Sequence, residues 1–123
     1  GFTPAGKSNA PAVLAGTLSG LKAEIVVVQG DELKTGGYSV KPPYVKLSWN
    51  ELKASQGVRY YNVYRSETPK FETSPATLVG STTEPEFVDC VLEAGKTYYY
   101  RVVALDNWDN RSTGSPALAV NIK

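Results

Sequence analysis

At 123 residues the chain suits a single domain with a buried core, and 41% hydrophobic against 20% charged residues excludes wholesale disorder. Lys plus Arg is 13 against 12 for Asp plus Glu, a net charge of +1 with no basic run, which argues against nucleic acid as a partner. The complete absence of His removes the commonest general base, zinc ligand and triad member together.

In chain order, residues 1–20 are rich in Gly, Ala, Pro and Ser and read as a linker or the tail of a preceding domain, ending at most in a short strand. The domain proper is expected over 21–123. Its first strand is 21–28 (LKAEIVVV), followed by a long connection over 29–43 that holds Gly30, Gly36, Gly37, Pro42 and Pro43. Residues 44–49 (YVKLSW) alternate, with Val45, Leu47 and Trp49 on one face and Lys46 and Ser48 on the other. A polar loop over 50–58 precedes a third strand, 59–66 (RYYNVYRS), which sets Tyr61 and Val63 opposite Tyr60, Asn62 and Tyr64.

Short strands are expected at 77–81 and 86–90. Residues 97–106 (TYYYRVVALD) carry the clearest strand pattern, with Tyr98, Tyr100, Val102 and Ala104 on one face. A turn-rich loop over 107–114 and a closing strand over 116–122 complete the chain. Seven strands without helical periodicity imply an all-β sandwich or barrel. Period-2 aromatics on facing strands make Trp49, Tyr61, Val63, Tyr98, Tyr100 and Val102 the core candidates.

The stretch from Val45 to Ile122 resembles a fibronectin type III domain. The residues that carry the likeness are VKLSWN with Trp49, YYNVYRS, and FVDCVLEAGKTYYYRVVALDNWDNRSTGSP. Within the last, Leu92-Glu-Ala-Gly-Lys-Thr-Tyr98 is similar to the family's tyrosine corner, in which a phenolic hydroxyl bonds backbone a few residues upstream. The resemblance implies a seven-stranded, immunoglobulin-like sandwich of two antiparallel sheets, with Leu92 joining the core. The 29–43 connection departs from the family as a long insertion.

The style of these segments resembles modules of secreted bacterial polysaccharide-degrading enzymes. That implies an extracellular or cell-surface setting and a non-catalytic spacer or domain-docking role beside neighbouring domains of the same parent chain. A carbohydrate- or protein-binding (adhesion-type) module is the alternative. If the third and sixth strands are neighbours, as the family implies, Tyr60, Tyr64, Tyr99 and Arg101 share one solvent-facing surface that suits protein contact or sugar stacking. The same residues also suit ordinary cross-strand pairing.

Further along, Asp106-Asn-Trp-Asp-Asn110 combines turn-forming residues with Trp108, which is placed to stack on a sugar ring. Calcium is the weaker reading, because the spacing is not that of an EF-hand loop. Cys90 is the single cysteine, so no internal disulfide forms, and it is expected to pack rather than react. Asn110-Arg-Ser112 is a glycosylation sequon, a pattern too short to decide anything alone. The carboxylate pairs Asp106/Asp109 and Glu84/Glu86 lack the cleft that glycoside hydrolysis requires. No phosphate loop, nucleophile elbow or other cofactor motif occurs, and no apolar stretch approaches the ~18 residues of a membrane span.

Overall fold

Strand alternation organises the chain throughout the computed structural model, which describes residues 13–53 and 57–123. Eleven strands occur among them: β1 (Val13–Thr17), β2 (Lys22–Val26), β3 (Leu33–Thr35), β4 (Tyr38–Val40), β5 (Tyr44–Ser48), β6 (Tyr60–Ser66), β7 (Leu78–Thr82), β8 (Glu86–Asp89), β9 (Thr97–Leu105), β10 (Arg111–Thr113) and β11 (Leu118–Asn121). The larger sheet runs β1-β10-β9-β6-β7, with β11 also pairing β9. The smaller runs β2-β5-β8, and β3 with β4 forms a separate hairpin. Pairing is antiparallel except between β1 and β10, which are parallel.

The sandwich closes over the inward phases of these strands. Val45 and Leu47 of β5, with Trp49 just beyond, meet Tyr61 and Val63 of β6 and Tyr98, Tyr100 and Val102 of β9. The Trp49 and Tyr61 rings pack edge to face at 5.3 Å and 67°. Leu92 is only partly buried against this cluster. Gly80 of β7 allows Phe87 to lie against the sheet, where an added Cβ would meet the ring at 2.6 Å. The crossover between sheets is tied as the tyrosine-corner segment implied: the Glu93 N–H donates to the Tyr98 hydroxyl at 2.9 Å, and Gly95, at φ 88°, makes the turn between them.

Three strands, β3, β4 and β10, escaped the sequence reading, while β1 is the short strand allowed at the end of 1–20. Val13–Thr17 pairs with β10, and Leu18 beyond it is fully buried in the core. Residues 1–12 of the expected linker lie outside the described residues. The 29–43 insertion contains the β3–β4 hairpin, joined by Gly36-Gly37 at positive φ, and a cis bond between Pro42 and Pro43. The 107–114 loop contains β10, which continues into β11 through Ser115, whose N–H donates to Val102 O.

Registers define two poles. Residues 49–53, 57–59, 83–85 and 106–110 lie at the upper one, where Tyr60 stands opposite Leu105 and Val13 opposite Arg111. The hairpin, loops 67–77 and 90–96, and the end of β11 lie at the lower one, where Ser66 stands opposite Tyr99 and Asn121 opposite Thr97. Val13 and Lys123 therefore sit at opposite poles.

Candidate functional site

The outer face of β6 and β9 is not the tyrosine platform expected of it. Leu105, opposite Tyr60, is six residues from Tyr99, so Tyr60 and Tyr99 stand about 20 Å apart at the rise of a strand. Between them Tyr64 is only 4% exposed. It packs with Val103 and Leu105 into a second apolar cluster, against which Tyr60 and Phe71 pack. The Phe71 loop is clamped on either side: Arg101 donates to Phe71 O at 3.1 Å, and Arg111 donates to the Thr73 hydroxyl at 2.6 Å. The Arg111 guanidinium also stacks over the Tyr64 ring, 5.9 Å from its centroid. Alternation placed Tyr64 on the outer face, but no periodicity could say that a loop covers it. An aromatic residue set among the prolines and charges of that loop was the available signal.

At the upper pole the 106–110 loop is built around one carboxylate. Asp106 is buried, and its oxygens accept from the Trp108 N–H at 2.8 Å, the Asn110 N–H at 2.9 Å and the Asn110 side chain at 3.0 Å. Burial works against its charged form, but these donors outweigh burial and hold the carboxyl below the ordinary aspartate value of 3.8. Asp109 sits at φ 61°, a sparsely populated region for a residue with a side chain. It accepts from the Tyr60 hydroxyl at 3.0 Å. Trp108, between these fixed points, remains 69% exposed. Tyr60 and Trp108 are thus brought to one pole, while Arg101 stands opposite Tyr64 in mid-strand and Tyr99 lies towards the other end of the sheet. Among the described residues no group of three His, Cys, Asp or Glu side chains is disposed to hold a metal ion.

Asp89 was not singled out as a polar centre in the sequence. Inward alternation from Phe87 carries it into the sandwich, where the Arg65 guanidinium and the Tyr100 hydroxyl both donate to it at 2.7 Å. Arg65 also donates to Val91 O and stacks over the Tyr98 ring, 5.3 Å from its centroid. This cluster joins β6 and β9 of one sheet to β8 of the other. The sign visible in the sequence was a lone acid in the inward phase of a short strand. Cys90, next in the chain, takes the opposite phase and is exposed rather than packed.

Burial, and then the bond to Asp89, push the Tyr100 phenol far above its ordinary value of 10.0. A group raised by folding contributes stability that is complete below the unfolded value and is lost as pH rises through the folded one. The domain is therefore expected to lose up to about 1.4 kcal/mol per pH unit above the ordinary tyrosine range through this one group. Phenolate absorbance followed together with near-ultraviolet circular dichroism should show Tyr100 ionising only as the fold is lost. Its ionisation within an intact fold would contradict this.

The lower pole exposes three large apolar side chains among charged ones, which include the open pairs of Lys96 with Glu67 and Glu93. Val28 is 62% exposed, Tyr38 at the start of β4 75%, and Val91 75%. Among the described residues the hairpin carrying Tyr38 pairs with no other strand, and the Gln29 side-chain amide donates to Pro42 O across its base. A shallow groove of about 410 Å³ lies on the neighbouring flank, between Phe71, Arg101 and Pro116. None of the described residues forms a helix long and apolar enough to cross a membrane.

Comparison with known proteins agrees with this architecture. No family model matches the chain. It is 40% identical over 81 residues to Exoglucanase B of Cellulomonas fimi, a match that covers 64% of this chain but only 7% of that protein. An Fn3-like protein of Clostridium thermocellum superposes with a TM-score of 0.50 at 27% identity, covering 65% of this chain and 77% of its own. A human fibronectin type III domain superposes at 0.64 with 16% identity, covering 99% and 85%, a likeness of fold alone. The fold is that of the fibronectin type III domain, as the Trp49 strand and the Leu92–Tyr98 corner implied.

Proposed function

We propose that this fibronectin type III sandwich is a non-catalytic module of a larger secreted, polysaccharide-degrading enzyme, and that it spaces and docks neighbouring domains. One observation carries the reading: exposed apolar side chains collect at one pole of the sandwich. Val28, Tyr38 and Val91 surround the lower pole, towards which β11 runs. On the flanks only Ile25 and Leu78 among the described large apolar residues are exposed, at 40% and 41%. A cluster of exposed apolar side chains marks a contact surface, whereas single ones are ordinary. The similarity to part of Exoglucanase B supports the setting, since there a comparable segment occupies a small share of a long chain.

The test has two arms. Purified alone, the chain should release no reducing ends from polysaccharide, and release would end the accessory reading. In the full parent polypeptide, Val28→Asp with Val91→Asp should loosen interdomain orientation, read by small-angle scattering, while the module's own melting temperature holds. Unchanged scattering would remove docking and leave only spacing.

A further inference from the structure

The two poles differ in chemistry, and the difference assigns the upper one a different ligand. Trp108 is the single exposed large apolar residue there among the described residues, whereas the lower pole holds three. Its neighbours in the loop are polar: Asn107 and Asp109 are exposed, and Asn110 is half-buried. A stable protein interface needs a contiguous patch of several hundred square ångströms with a desolvated centre. One indole rimmed by an amide and a carboxylate does not supply that.

It does match a pyranose ring. The axial C–H face of a sugar carries partial positive charge and lies against the negative face of an aromatic ring. The equatorial hydroxyls at the sugar's edge need donors and acceptors beside the ring, and the chain neighbours of Trp108 supply candidates in the exposed Asn107 amide and Asp109 carboxylate. One Asp109 oxygen is engaged by Tyr60. We propose that the 106–110 loop is a single-ring carbohydrate contact, with Trp108 as the stacking surface and Asn107 and Asp109 as the hydroxyl contacts.

The construction of the loop fits this use. Trp108 is exposed although the backbone around it is fixed at both ends, by Asp106 accepting from Trp108 and Asn110 and by Asp109 bonded to Tyr60. A positive φ at a non-glycine residue is held only where the surroundings determine it, and Asp109 has such surroundings. With the loop backbone fixed, only the two side-chain torsions of the indole are ordered on contact, so even one ring can contribute measurable affinity. The contact lies at the opposite pole from the docking surface proposed above, and either reading stands if the other fails.

The 123-residue chain should be titrated with soluble β-glucan, β-xylan and β-mannan oligosaccharides. Binding is read from the sugar by saturation-transfer NMR and from the protein by the Trp108 indole N–H resonance. At least one sugar series is expected to saturate with a dissociation constant on the order of millimolar. It should move the Trp108 resonance and leave Trp49 and the Val28 methyl groups in place. Trp108→Ala should weaken that affinity by roughly tenfold or more with an unchanged melting temperature. Trp108→Phe should retain part of it. Saturation that survives in Trp108→Ala, or no saturation with any of the three series, overturns the assignment.

Discussion

Trp49→Ala is expected to cost about 3–5 kcal/mol, the loss of a large buried aromatic together with the cavity it leaves. Against a total of about 5–15 kcal/mol for an ordinary domain, that removes much of the stability, and no internal disulfide limits the unfolded chain. Trp49 lies where both sheets meet, edge-on to Tyr61, and its neighbours Val45 and Val63 belong to different sheets. The indole N–H is buried without a hydrogen-bond partner among the described residues. Trp49→Phe should therefore cost clearly less, because it removes an unsatisfied donor along with part of the ring. Chemical denaturation followed by tyrosine emission would read both variants. An alanine variant with an unchanged midpoint would displace Trp49 from the centre of the core.

Asp89→Ala is expected to be about as damaging, by a different route. The carboxylate is the shared acceptor of Arg65 and Tyr100, and removing it strands a largely buried guanidinium and a buried hydroxyl. Breaking a buried ion pair from one side costs about 3–5 kcal/mol, because the remaining charge is uncompensated. Tyr100→Phe should cost only about 1 kcal/mol, since Asp89 keeps Arg65 and the amide of Val91. By contrast Lys96, paired with Glu67 and Glu93 in the open, can be neutralised with little effect. Denaturant midpoints for the two substitutions should therefore separate widely. Equal costs would mean that Asp89 serves Tyr100 alone.

Much of this architecture could be read from the chain because its central strands obey a period of two. Val45-Leu47-Trp49, Tyr61-Val63 and Tyr98-Tyr100-Val102 each declare an inward face, and the sheets simply bring those faces together. Leu92-to-Tyr98 was legible through its resemblance to the tyrosine corner, where one hydroxyl satisfies backbone at the crossover. What stayed hidden were elements too short to show a period. β3, β4 and β10 have three residues each and sit among Gly, Pro and Asn. The Gly36-Gly37 pair was the one signal that β3 and β4 form a hairpin.

At the candidate sites, the sequence placed Trp108 in a loop but could not show Asp106 fixing it. It also placed Tyr64 beside Tyr60 and Tyr99 on an outer face without revealing the Phe71 loop above. Such loops are positioned by long-range hydrogen bonds, Arg111 to Thr73 across 38 positions and Tyr60 to Asp109 across 49, and no local pattern encodes them.

The parallel pairing of β1 with β10 has a mechanical consequence. Val13 and Lys123 lie at opposite poles, so a pull between them runs along the strands. Parallel strands at that edge meet the pull with their hydrogen bonds lying across it, and the β1–β10 bonds must slide together instead of opening one at a time. Leu18, buried just beyond β1, adds a side chain that has to leave the core in the same movement. Resistance to extension is governed by the rate of that event, not by equilibrium stability. A rupture force that falls when β1 is unpaired, for instance by Gly16→Pro, would locate the brake there.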